Sequence, residues 1–379
     1  MAHTAGHRVS QDLLLEIAEH CDLKTLSSLM QTCKHVYLII NSYKQSIAKA
    51  KIATYISPPT GLVLTSRDEK RCVIPLRNSL HTVRELQRRE DRVDSILDRG
   101  GFMLTDRPDT LGLGSLASLE KFKAGLRDAL YITDQIADLA AHPSLDQAGG
   151  VSDVKARAWH TMSDSTTDVR STGVNTLSAY NARLALHFRK MRQLRQLQID
   201  LLRSLPTRLL CWLLTLAAGG SKGYARYCMR LLESDPGMGH ARVMAFKEVL
   251  LRGGGFILWG FLRGRGPLHS FVKAAIWACT EEVMFFEWSG GWGWGAVGED
   301  EARAPDGLHM TIMDELRQRF VEAKREQIAE NKNRNGEEEW DETTWGANDT
   351  LEEVHRIVGE EVECKSWKGY AAVEHDIKG

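Results

Sequence analysis

From Leu80 to Leu97 the apolar residues Leu80, Val83, Leu86, Val93, Ile96 and Leu97 fall on one side of a helix of 3.6 residues per turn. A strand could not gather them, because its side chains alternate between two faces. The opposite side carries Arg84, Glu85, Arg88, Arg89, Asp91 and Arg92, and Glu85 stands four residues before Arg89, the spacing of a helical ion pair. Gly100-Gly101 ends the pattern. The same spacing returns along Leu119, Phe122, Leu126, Ala129, Ile136 and Leu139, stopped by His142-Pro143. A third stripe, Leu184, Phe188, Met191, Leu194 and Leu201, lies within residues 177–205, and residues 268–288 give a fourth helix. Shorter helices are expected over residues 221–233, 240–252, 310–330 and 351–358. β-Branched residues rarely alternate with polar ones, so strand signals are poor. The fold class is therefore mainly α, with an irregular helical domain and long loops.

Breaks divide the chain. Ser57-Pro58-Pro59-Thr60-Gly61 separates an opening module, residues 9–55, from a helical region over 60–142. Residues 1–8 read as a disordered tail. Residues 143–175 are rich in Ser, Thr, Asp and Gly and read as a flexible linker or long loop, after which a helical region with an acidic end fills 176–379. No repeat of 20–50 residues is present.

The opening module is too apolar for its length. In "VSQDLLLEIAEHCDLKTLSSLMQTCKHVYLII", Ser10 is placed to cap a first helix and Asp12 to oppose its dipole. Leu14, Ile17, Ala18 and Cys21 share a face flanked by Leu13 and Leu15. Asp22 is placed to cap a second helix with Leu23, Leu26, Leu29 and Met30. Thr32 is placed to cap a third, with Cys33, Val36, Tyr37, Ile40 and Tyr43 on one face and Leu38 and Ile39 on another. Three short helices with apolar residues on several faces cannot hide them all, so a partner or the rest of the chain must cover the excess.

These residues resemble an F-box, the helical module of 40–50 residues that docks onto the Skp-type adaptor of cullin-based ubiquitin ligases. The match runs through Val9, Ser10, Asp12, Leu13-Leu14, Ile17, Asp22-Leu23, Leu26, Thr32-Cys33-Lys34 and Tyr37, over about residues 8–52. It departs at Ser10, where the family pattern has Pro, and at Tyr37, where it has Trp. The helix "LHTVRELQRREDRVDSIL" resembles the arginine-rich helix that follows the box in many filamentous-fungal F-box proteins. The resemblance implies that Leu13, Leu14, Ile17, Leu23, Leu26, Leu29, Cys33 and Tyr37 build an adaptor-facing module, and that the remainder holds a protein substrate. It implies no catalytic residue, cofactor or metal.

Composition narrows the alternatives. A formal net charge of −1 over 379 residues argues against a general nucleic-acid binder. Seven scattered cysteines without Cys-x-x-Cys spacing fit reduced thiols of the cytoplasm or nucleus better than disulfides or zinc. The polar start, Met1 to Arg8, is unlike a secretory leader. The longest apolar run, Leu209 to Ala218, falls short of the roughly 20 residues a membrane helix needs and reads as a buried helix.

Several motifs compete with the docking reading. Gly219-Gly220-Ser221-Lys222-Gly223 matches the nucleophile elbow, which would make Ser221 a hydrolase nucleophile if a strand preceded it. The Leu- and Ala-rich run before it favours helix, and the glycine pair then reads as a helix C-cap. Two dinucleotide-type patterns, at Gly293 to Gly298 and Gly112 to Ala117, read as loops: acids follow the first and no strand precedes the second. Residues 183–208 hold seven Lys/Arg and one acid, while residues 299–363 hold twenty acids and eight bases, so the basic stretch is expected to pair with the acidic one, with an acidic partner protein as the alternative. All ten tryptophans lie beyond residue 158, and Trp288, Trp292 and Trp294 among glycines are the expected substrate-binding anchors. The chain thus reads as a substrate-recruiting F-box protein without chemistry of its own. A non-ligase scaffold and the Ser221 hydrolase remain as alternatives.

Overall fold

The computed structural model describes residues 10–55, 58–59, 61–65, 72–74, 78–99, 113, 115–142, 145, 175–227, 235–262, 280, 283, 307–335 and 342–364. It is mainly α, as the periodicity requires. The chain forms two compact units, Met1–Asp91 and Arg92–Gly379, with the boundary inside one long helix.

The first unit opens with α1 (Gln11–His20), α2 (Leu23–Thr32), α3 (Lys34–Ser42) and α4 (Lys44–Ala53). Four helices stand where three were expected. The chain bends at Tyr43, whose backbone leaves helical angles (φ −103°, ψ 11°). The i to i−4 bonds still flank the bend, from Tyr43 N–H to Ile39 O and from Ile47 N–H to Tyr43 O. Thr32 is not the cap of the third helix: it closes α2, donating its hydroxyl to Leu29 O at 2.7 Å. Cys33 takes the N-cap place without a side-chain bond. Ala18, Leu26, Ile40 and Ile47 form a small core at no more than 1% exposure.

A short antiparallel pair follows, β1 (Val63–Thr65) and β2 (Cys72–Ile74), with Val63 opposite Ile74. It leads to α5 (Leu80–Arg99), which begins and ends where its periodicity does. Val83 and Leu86 pack with Ala48 and Ile52 of α4. Glu85 and Arg89 lie 3.7 Å apart, both almost fully buried, and Arg89 also donates to Leu64 O of β1 at 3.0 Å.

The second unit contains α6 (Leu116–Asp138), α7 (Asn175–Ser204), α8 (Thr207–Tyr227), α9 (Pro236–Gly253), α10 (Gly255–Leu262), α11 (Leu308–Asn335) and α12 (Ala347–Glu361). The apolar run at residues 209–218 is the middle of α8, which packs against α6, α9, α11 and α12. Gly219-Gly220 does not end this helix, which continues to Tyr227. Gly220 instead allows close packing: a Cβ there would sit 2.8 Å from Leu250 Cδ1 of α9. Gly125 of α6 plays the same part on the other side, where a Cβ would lie 2.0 Å from the ring of the fully buried Trp212.

Buried polar groups pin these helices together. Glu248 of α9 accepts from Arg195 (2.7 Å), Arg252 (2.7 Å) and the backbone N–H groups of Leu308 (2.8 Å) and His309 (3.1 Å). It thereby satisfies donors at the start of α11 that no helical carbonyl can reach. Asp134 of α6 does the same for α10, accepting from Gly255 N–H at 2.9 Å. Gly254 beside it has φ +68°, and a side chain there would collide with the Asp134 carboxylate.

Of the expected fourth helix, residues 268–288, only Thr280 and Val283 are described, and most of the expected linker, 143–175, lies outside the described residues. Among the described residues no helix is long and apolar enough to cross a membrane.

Candidate functional site

The candidate site is made of the exposed apolar residues of α1 and α3. Ser10 caps α1, its hydroxyl accepting from Leu13 N–H at 3.2 Å. Asp22 caps α2, accepting from Thr25 N–H at 2.6 Å, and that bond holds its carboxyl below the usual carboxylate range. The far end of α1 is fixed by Lys51 of α4. Its ammonium, buried, donates to Glu19 O at 3.0 Å and to Cys21 O. These are carbonyls that the end of a helix leaves without an internal donor. At the near end, Gln11 Nε2 donates to the Tyr43 hydroxyl at 3.2 Å, so the start of α1 meets the end of α3.

A held helix shows its rows unambiguously. Leu14 and Ala18 are buried, whereas the neighbouring row, Leu13 (49% exposed) and Ile17 (41%), faces outward. On α3, Ile40 is buried while Tyr37 (45%) and Leu38 (50%) face outward, and Tyr43 at the bend is 43% exposed. The eight sequence-selected residues therefore divide. Leu14 and Leu26 belong to the core, and Leu23 and Leu29 pack at its edge. Leu13, Ile17, Cys33 and Tyr37 are exposed. Leu38 and Tyr43, which the helical spacing placed on different faces of the third helix, are exposed as well.

The remaining sequence candidates fall elsewhere. Ser221 lies inside α8 with a helix, not a strand, before it, and its hydroxyl donates to Ala218 O at 2.8 Å. The strand–turn–helix of a nucleophile elbow is not formed there. Trp288, Trp292 and Trp294 lie outside the described residues, as do Gly293 to Gly298. Ser115, within the Gly112 to Ala117 pattern, caps α6 by accepting from Ser118 N–H at 3.0 Å. The basic stretch pairs within the chain. Arg203 lies 4.0 Å from Glu315, and Arg208 binds Asp128 (3.1 Å) and Glu361 (2.7 Å). Arg195, in contrast, meets Glu248, outside the acidic end that was expected to receive it. Among the described residues no group of three His, Cys, Asp or Glu side chains is arranged to hold a metal ion.

No protein-family model matches the chain, and no curated protein or solved structure matches it.

Proposed function

We propose that the chain is an F-box-type docking protein that recruits a protein substrate to a Skp-type adaptor and, through it, to a cullin ubiquitin ligase in the cytoplasm or nucleus. The observation that supports this reading is the exposure of Leu13 and Ile17 on α1 and of Tyr37 and Leu38 on α3, with the ends of α1 tied down by Ser10, Lys51 and Gln11. Half-exposed apolar side chains on a rigid frame suit a docking face, because little conformational freedom is left to lose on binding. The ordered match of Val9 to Tyr37 to the F-box pattern supplies the kind of partner. The second unit, with the Trp288, Trp292 and Trp294 segment, is the proposed substrate side. In this reading the protein performs no chemistry and acts by bringing its target near charged ubiquitin.

The test is capture of the purified adaptor by wild type and by Ile17→Arg. A guanidinium set into an apolar interface without a partner costs on the order of 2–4 kcal/mol, or roughly a 30- to 1,000-fold loss of affinity. Ile17 is already half outside the core, so the variant keeps its fold by circular dichroism. Equal capture by both proteins would refute the proposal. Cullin recovered with the adaptor separates a ligase subunit from a scaffold.

A further inference from the structure

Acids are missing from a long stretch of the chain that includes α2, α3 and α4. From Leu23 through Arg67, 45 residues, no Asp or Glu occurs, while Lys24, Lys34, Lys44, Lys49 and Lys51 do. At the chain's own frequency of 50 acids in 379 residues, such a stretch would hold about six. On α3 itself Lys34, His35, Tyr37, Leu38 and Ser42 are exposed, and Ile40 is buried. Tyr37 and Leu38 stand three and four residues after Lys34, one turn on and to either side of it, so the three share one face of this helix. Lys34 has no ion-pair or hydrogen-bond partner among the described residues. The acidic helix α1 meets α3 elsewhere: Gln11 binds the hydroxyl of Tyr43, which follows Lys34 by nine residues and so lies about half a turn around the helix from it.

An unscreened lysine between two half-exposed apolar side chains defines what can cover it. We propose that the docking partner presents an acidic surface to α3: an apolar pocket that takes Tyr37 and Leu38, with a carboxylate at its rim to meet Lys34. A basic or neutral rim would either repel Lys34 or strip it of water without return. The face suits a protein better than a polyanion. Nucleic acid is held by many cations along its phosphates, and an anionic membrane surface by clusters of about four to eight. This face offers one lysine, and its other contacts are a phenol ring and an aliphatic side chain. The inference rests on the docking reading and adds the sign of the partner's surface, which the apolar pattern alone does not give.

Titration of the full chain with the purified adaptor at about 50 and about 500 mM NaCl, which shortens the reach of charge severalfold, tests this. Wild-type affinity falls roughly threefold or more at the higher salt, as the pair with Lys34 is screened. Lys34→Glu weakens binding at least about tenfold at low salt, because two like charges then face each other, and the gap narrows at high salt. Lys34→Met keeps the apolar stem and removes most of the salt dependence. Lys34 is exposed, so both variants melt as the wild type does. Wild-type binding that ignores salt, or Lys34→Glu binding as tightly as the wild type, would overturn this inference and leave adaptor docking standing. No adaptor binding by the wild type would overturn both. Tight binding of a single-stranded oligonucleotide, or of phosphatidylcholine–phosphatidylserine vesicles, that Lys34→Glu abolishes would overturn it in favour of a different class of partner.

Discussion

Replacing Glu248 by Gln tests how the second unit is held together. The carboxylate is buried and reaches three elements: Arg195 on α7, Arg252 on its own helix and the first N–H groups of α11. Burial alone would push its pKa up. The guanidinium groups of Arg252 and Arg195, with the N–H groups of Leu308 and His309, outweigh burial and hold it at about 2 against an ordinary 4.5. At 1.36 kcal/mol per tenfold change, that difference corresponds to about 3 kcal/mol of stability at neutral pH. The Gln amide keeps an acceptor for the backbone N–H groups but leaves two guanidinium groups facing a neutral side chain. Breaking a buried ion pair in this way costs about 3–5 kcal/mol, so Glu248→Gln should lose about 3 kcal/mol.

Urea unfolding at pH 7, followed by circular dichroism, reads the loss as a lowered midpoint at unchanged slope. The pH dependence gives an independent check. A carboxyl whose pKa is depressed by folding contributes stability that is complete above the unfolded value of 4.5 and is lost as pH falls through about 2. The gap between wild type and Glu248→Gln should therefore narrow steadily below pH 4.5. A loss under about 1 kcal/mol at pH 7, or a gap that does not narrow in acid, would refute the reasoning.

Two further outcomes follow from the packing. Gly125→Ala drives a methyl into the rigid, buried Trp212 ring and should destabilise by about 2–3 kcal/mol, whereas Gly220→Ala meets only the movable end of Leu250, and its helix-propensity gain of about 1 kcal/mol should leave it near neutral; thermal melts of both decide this. Lys51→Met removes the donor to Glu19 O and Cys21 O and should cost about 1–3 kcal/mol, seen as faster amide exchange in the last turn of α1 before any change in the second unit.

The helices were legible wherever one apolar stripe faced one core. The span of α5 follows from Leu80 to Leu97, and the ends of α1 and α2 from Ser10 and Asp22, because these signals are local. The failures share a cause: the deciding group is distant in sequence. Gly219-Gly220 looks like a helix end until Leu250 is seen against it. Nothing near Tyr43 marks a bend that retains its flanking backbone bonds. Lys51 reads as a surface lysine until the end of α1 is laid across it, and Glu248 as a surface acid until Arg195 and the start of α11 close over it. Periodicity finds which residues form a face but not what the face meets.

That distinction bears on the docking face itself. Leu13 and Leu14 are adjacent and chemically identical, yet one is 49% exposed and the other 7%. Composition cannot separate them; only the direction in which α1 is clamped can. Lys51 and Gln11 are polar residues, and neither belongs to the apolar pattern that suggested a docking module. Yet they hold α1 so that Leu14 and Ala18 turn inward and Leu13 and Ile17 do not. A rotation of α1 by about 100°, one residue's worth of helix, would bury Leu13 and Ile17 and bring the acidic row of Asp12 and Glu16 to the docking position. The docking reading therefore depends on these two polar restraints. They are what makes an apolar face out of an apolar segment.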